Sequence, residues 1–151
     1  MSETPNNKLE QTAAHTAVAE LVGVRPVYRV HLESEEIGTT SLESGDPPMG
    51  VVCGKVSFHA PGSVFELILN YCRTHNITVN SSDLEHEFID TQVIPALRVF
   101  RADGHEISGQ GNYLSGFKDE GYEVTILGIP YPFYAEEFPL QRKAYDEKFY
   151  D

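Results

Sequence analysis

Histidine and carboxylate residues cluster in one short segment, Asp83-Leu84-Glu85-His86-Glu87-Phe88-Ile89-Asp90, where His86 and Asp90 stand four positions apart. On a helix this spacing puts both side chains on one face, where they would offer two ligands to a metal ion or an acid and a base to a substrate. Other features speak against that chemistry. The pattern His-Glu-x-x-His is missing, and His15, His31, His59, His75 and His105 are scattered. A solvated acidic connection accounts for the same residues. No metal and no cofactor are therefore expected, and Asp83, Glu85, His86, Glu87 and Asp90 stand as candidates for contact with a partner or ligand.

Nucleophilic catalysis and nucleotide binding have no better support. There is no Gly-x-Ser-x-Gly elbow, and Cys53, within Val51-Val52-Cys53-Gly54, lies in strand-like sequence. Cys72 falls on an apolar helical stripe, so both thiols read as small core residues. Gly109-Gln110-Gly111 followed by Gly116 lacks the glycine spacing and the following helix that hold a dinucleotide phosphate. The balance leans away from an enzyme.

Two other segments offer contact chemistry. In Asp46-Pro47-Pro48-Met49-Gly50 the prolines stiffen a loop that would present Met49 at low entropic cost, with Asp46 at its start. In the segment 128–134, Tyr131 and Tyr134 each combine an apolar ring with a hydroxyl suited to a wet interface or a polar ligand.

Charge narrows the partners. A formal net charge of -12 and a pI near 4.8 produce a field that repels phosphate backbones and attracts basic surfaces. Lys and Arg form no dense cluster, and Arg142 and Lys143 are flanked by Glu136, Glu137, Asp146 and Glu147, so nucleic acid is not an expected partner. Two cysteines without Cys-x-x-Cys spacing suggest neither a disulfide framework nor a zinc site. The polar opening and the absence of a long apolar run predict a soluble cytoplasmic protein that does not enter a membrane.

The elements that would position these residues follow from periodicity. Residues 1–24 read as a polar tail and a peripheral helix, in which Leu9, Ala13, Ala17 and Leu21 make a thin stripe before Gly23. Residues 25–151 read as a single α+β domain. Strict alternation over 27–33 predicts a half-buried strand, and 37–42 and 51–58 continue the sheet. A capping box at Ser63 and Glu66, followed by Val64, Leu67, Ile68, Tyr71 and Cys72, predicts a helix closing near His75 and Asn76.

Beyond it, 77–79 reads as a short strand, 81–90 as a polar connection with at most one helical turn, and 92–101 as a strand whose start Pro95 keeps at an edge. Asp103-Gly104 predicts a hairpin into 105–108, and 122–129 reads as the last strand. The aromatic C-terminal segment predicts two short helices begun by Pro132 and Pro139, with a break at Phe138.

The expected architecture is a mainly antiparallel sheet of about five to seven strands in meander order. One central helix packs on a face, and N- and C-terminal helices lie at the periphery. The expected function is an acidic protein-binding module, such as one of the inhibitor or immunity type, that blocks a basic partner surface. The alternative is a small-molecule-binding protein or enzyme with a pocket between the sheet and the aromatic segment, where Tyr131 or Tyr134 makes a polar contact and His86, Asp90 or Glu123 titrates. A homo-oligomer is a third reading.

Overall fold

The computed structural model describes residues 25–149; the helix expected over 7–23 lies outside them. The described residues run through β1 (Tyr28–Leu32), β2 (Glu35–Thr40), β3 (Ser44–Asp46), a 3-10 turn (Pro47–Met49), β4 (Val51–Phe58) and α1 (Val64–Thr74). They continue with β5 (Val79–Asp83), β6 (Phe88–Thr91), β7 (Leu97–Arg101), β8 (Gly111–Phe117), β9 (Gly121–Leu127), α2 (Phe133–Glu137) and α3 (Pro139–Phe149).

Every ladder is antiparallel, in the order β5-β6-β8-β9-β4-β2-β1-β7, with β3 added on β4. The mainly antiparallel class is the one expected, but the nine strands among the described residues exceed five to seven and their order is not a simple meander. The long-range pairings of β4 with β9 and of β7 with β1 make the difference, and no local pattern encodes them.

The sheet curls until β7 approaches β8. The Ile94 N–H donates to the Asn112 carbonyl at 2.9 Å, and the Asn112 side-chain amide donates to the Leu97 carbonyl at 2.7 Å. The enclosed face carries Tyr28, Val30, Leu32, Val52, Ile89, Leu97, Val99, Leu114, Val124 and Ile126, all buried. Strong curvature needs small residues on the inside, and Gly38 supplies one: a Cβ there would lie 2.4 Å from the Ser57 carbonyl oxygen.

α1 starts where Ser63 accepts the Glu66 N–H at 3.1 Å. It closes where Asn76 adopts φ 56 and the Ile77 N–H reaches the Cys72 carbonyl at 2.9 Å. Its buried residues are Phe65, Ile68 and Cys72, so the inward stripe turns towards Phe65 and leaves Leu67, expected inside, exposed.

Several local expectations are corrected. The segment 81–90 holds no helical turn; it is the β5–β6 hairpin, with Asp83 paired to Phe88 and Glu87 at φ 48. The strand expected over 92–101 begins only at Leu97, because Ile94 turns aside to β8 and Pro95 has no N–H to donate to a ladder. The Asp103-Gly104 turn forms, with Gly104 at φ 92, but 105–108 contributes a single bridge, Phe100 to Glu106, and no strand. The first run of strands numbers four, because Ser44–Asp46 pairs with Val51–Cys53 before the chain turns through the prolines.

The pairings sort the turns into two ends. Leu32 faces Glu35, Gly38 faces Phe58, Lys55 faces Glu123, Phe117 faces Gly121 and Ile89 faces Gly116. The β1–β2, β5–β6 and β8–β9 turns and the start of α1 therefore lie at one end of the curled sheet. The 3-10 turn, α2 and α3 lie at the other, where Phe138 packs against Tyr28 with ring centroids 6.0 Å apart.

Candidate functional site

The α1 end gathers most of the acidic candidates. The β5–β6 turn carries Asp83, Glu85 and His86, all exposed, together with half-buried Glu87. The Asp83 carboxylate accepts the Glu85 N–H at 3.0 Å and lies 2.6 Å from His86 Nδ1. The contact with His86 is the main cause that lowers the Asp83 pKa. Glu87 accepts the Ser63 hydroxyl at 2.6 Å and faces Lys118 at 3.4 Å, and Ser63 is the main cause of its lowered pKa. The Lys118 N–H donates to the His86 carbonyl at 3.2 Å, and the Tyr122 hydroxyl donates to the Glu87 carbonyl at 2.5 Å. The β8–β9 turn, with Asp119 and Glu120 exposed, is thereby fastened to the β5–β6 turn.

The β1–β2 turn adds Glu33 and Glu35 across α1, where the Tyr71 hydroxyl donates to Glu33 at 2.8 Å. The hydrogen bonds to Asp83 and Glu87 favour their ionised forms and so hold negative charge at this end.

His86 and Asp90 do not share a helix face, because the segment is a hairpin. Asp90 is half-buried on β6, paired with Ser81 and Ser115, and the partner of His86 is Asp83. Asp83, Glu85 and His86 have potential ligand atoms within 4.8 Å of one another, but all three are exposed on the turn.

Beside the acidic turns, β2, the chain after β4 and α1 form a groove of about 320 Å³ lined by Ile37, Phe58, Val64 and Leu67 together with Glu35, Glu36 and His59. Glu36 is a hub: His59 Nε2 lies 2.5 Å from its carboxylate, Arg29 Nε 3.6 Å and His31 Nε2 3.9 Å. Its pKa is lowered, chiefly by the His59 hydrogen bond. Linear spacing gives no hint of this cluster. A register shift after Val30 places His31 opposite Glu36, and the His59 N–H donates to the Ile37 carbonyl at 3.0 Å, next to it.

The remaining candidates lie at the opposite end. Tyr134 is fully buried and donates its hydroxyl to the Val51 carbonyl at 2.8 Å, and burial raises its pKa. Tyr131 is half exposed, stacks on Tyr134 at 5.3 Å and donates to the Pro47 carbonyl at 2.7 Å. Asp46 is exposed and its side chain does not cap the 3-10 turn, whereas Met49 projects into solvent at 68% exposure. The crevice between the sheet and the aromatic segment, beside Tyr28 and Phe138, measures about 10 Å³, room for about one water.

A buried ionic network that sequence patterns did not signal lies at this same end. Glu137, 2% exposed, accepts Tyr28 Oη at 2.7 Å and Arg101 Nη1 at 2.9 Å. Arg101 also forks onto Asp103 through Nε at 2.9 Å and Nη2 at 2.5 Å, which holds the Asp103 pKa at about 2. The only sign in the sequence is that Arg101 falls in phase with Leu97 and Val99 on the inner face of β7.

Neither thiol is activated: burial pushes Cys53 up to about 11 and raises Cys72 as well. Among the described residues no helix is long and apolar enough to cross a membrane. No protein-family model, no curated protein and no solved structure matches the chain.

Proposed function

We propose that the protein is an acidic protein-binding module that docks the α1 end of its sheet onto a basic surface of a protein partner, in the manner of an inhibitor or immunity protein. The observation that carries this reading is the convergence of three acidic turns, with Glu33, Glu35, Asp83, Glu85, Asp119 and Glu120 at one end of the molecule. Like charges brought together raise the local potential and steer a cationic partner, which sets association rate and orientation. The β5–β6 and β8–β9 turns are fixed to each other and to α1 by Ser63, Glu87, Lys118 and Tyr122, and the β1–β2 turn is tied to α1 by the Tyr71–Glu33 hydrogen bond, so the face is presented with little ordering cost on binding.

A ligand pocket under the aromatic segment has less in its favour. Both tyrosine hydroxyls already donate to backbone carbonyls, and the crevice beside Tyr28 is smaller than a ligand site.

The test is capture of partners from the native cells by three tagged forms. These are the wild type, a variant reversed at Asp83, Glu85 and Glu120, and a variant reversed at Asp46, Asp146 and Glu147. A stoichiometric basic protein that is released by salt, lost by the first variant and kept by the second is the expected result. Equal capture by all three forms refutes the reading.

A further inference from the structure

We infer that the groove between β2 and α1 holds one long cationic side chain, a lysine or arginine of the partner; this rests on the acidic-module reading above. Two observations select that occupant. The walls formed by Ile37, Phe58, Val64 and Leu67 are apolar, and Leu67 stays 42% exposed on a helix whose other large apolar side chains turn inward or are partly covered. Two carboxylates, Glu35 and Glu36, line the same groove.

A purely apolar anchor would strip water from the Glu35 carboxylate without pairing it, and a compact cation would leave the apolar wall wet. Lysine and arginine join a methylene stem to a charged head, which fits both parts. The volume of about 320 Å³ lies at the lower limit for sites that enclose a small ligand.

The two carboxylates differ in role. Glu36 is already held by His59, Arg29 and His31, which fix its geometry and offset its charge. The Glu35 side chain is exposed and makes no hydrogen bond or ion pair among the described residues, so its carboxylate is the one left for an incoming cation.

The probe is n-butylguanidinium, titrated into the ¹⁵N-labelled full chain and followed by amide shifts. Guanidinium alone and n-pentanol serve as the stemless and uncharged comparisons. Saturable shifts confined to residues 35–37 and 58–67 are expected. Both comparison compounds should bind about tenfold more weakly, a loss worth roughly 1.4 kcal/mol. Glu35→Gln and the exposed Leu67→Ser should each weaken the probe several-fold, and Glu85→Gln should not.

Shifts spread evenly over all three acidic turns, equal binding of guanidinium without a stem, or shifts that grow with protein concentration alone, signalling a second copy in the groove, would each overturn the inference. Capture of the partner separates the two readings. If Glu35→Gln and Leu67→Ser keep it while reversal at Asp83, Glu85 and Glu120 loses it, the groove is wrong and the acidic face stands.

Discussion

Ser63 donates its hydroxyl to Glu87 at 2.6 Å while accepting the Glu66 N–H at 3.1 Å, so one side chain both starts α1 and ties it to an acidic turn. Ser63→Ala removes the cap and the tie together. It should cost about 1 kcal/mol for the cap, with a further loss for the unpaired Glu87 contact. Ser63→Thr keeps an oxygen in place and should recover most of the difference. Urea unfolding at neutral pH measures both; equal stability of Ser63→Ala and wild type would mean that the serine does not organise this end.

Glu137 is enclosed between Tyr28 and Arg101, which makes it the most exacting position at the opposite end. Arg101 keeps its fork on Asp103 but loses a charged hydrogen-bond partner in the interior, so Glu137→Gln should destabilise by about 1.5–3 kcal/mol. Tyr28→Phe removes one hydrogen bond to a charged acceptor and should cost about 1.5–3 kcal/mol. Both changes act on one carboxylate, so the double variant should lose less than the two single losses combined. Strictly additive losses in chemical denaturation would contradict the shared network.

Stability towards acid follows from the direction of the carboxylate shifts. Asp103 has a folded value of about 2 against an ordinary 3.8, so its stabilisation is complete above about pH 4 and is lost as the pH falls towards 2. Glu36, Asp83 and Glu87 are lowered too and contribute in the same sense. Asp103→Asn should therefore be less stable than wild type at neutral pH, with a curve that falls less steeply between pH 4 and 2. The Asp103 side chain is 38% exposed, so screening keeps the effect modest. Unfolding midpoints across that range check it; parallel curves would rule out the Arg101 contact as the cause.

What the sequence revealed was local. The capping box at Ser63 and Glu66 marked the start of α1, the alternation of Tyr28, Val30 and Leu32 marked β1, and Pro139 after Phe138 marked the break between α2 and α3. The β5–β6 hairpin escaped because β5 is polar, β6 is only four residues long, and the turn uses Glu87 at positive φ, where glycine or asparagine would have been the readable signal. The Glu36 cluster escaped for another reason. Its members come from three strand neighbours and meet through a bulge and a cross-strand hydrogen bond, which linear spacing cannot express.

The acidic candidates Asp83, Glu85 and Glu87 were readable as a charge run. Their meeting with the β8–β9 and β1–β2 turns depends on long-range pairing and was not. Burial of Tyr134 was equally hidden, because stacked tyrosines look alike in sequence whether they face a partner or the core.

The central claim, that the α1 end is an electrostatic docking face, is tested most directly by association kinetics with the captured partner across a range of ionic strength. Glu87 is left intact because it supports the fold, and Asp83→Lys, Glu85→Lys and Glu120→Lys are combined. The account predicts that wild-type association slows as salt rises. The triple variant should associate at least about tenfold more slowly at low salt, with a flattened salt dependence. Identical rates and identical salt dependence in wild type and variant would contradict it.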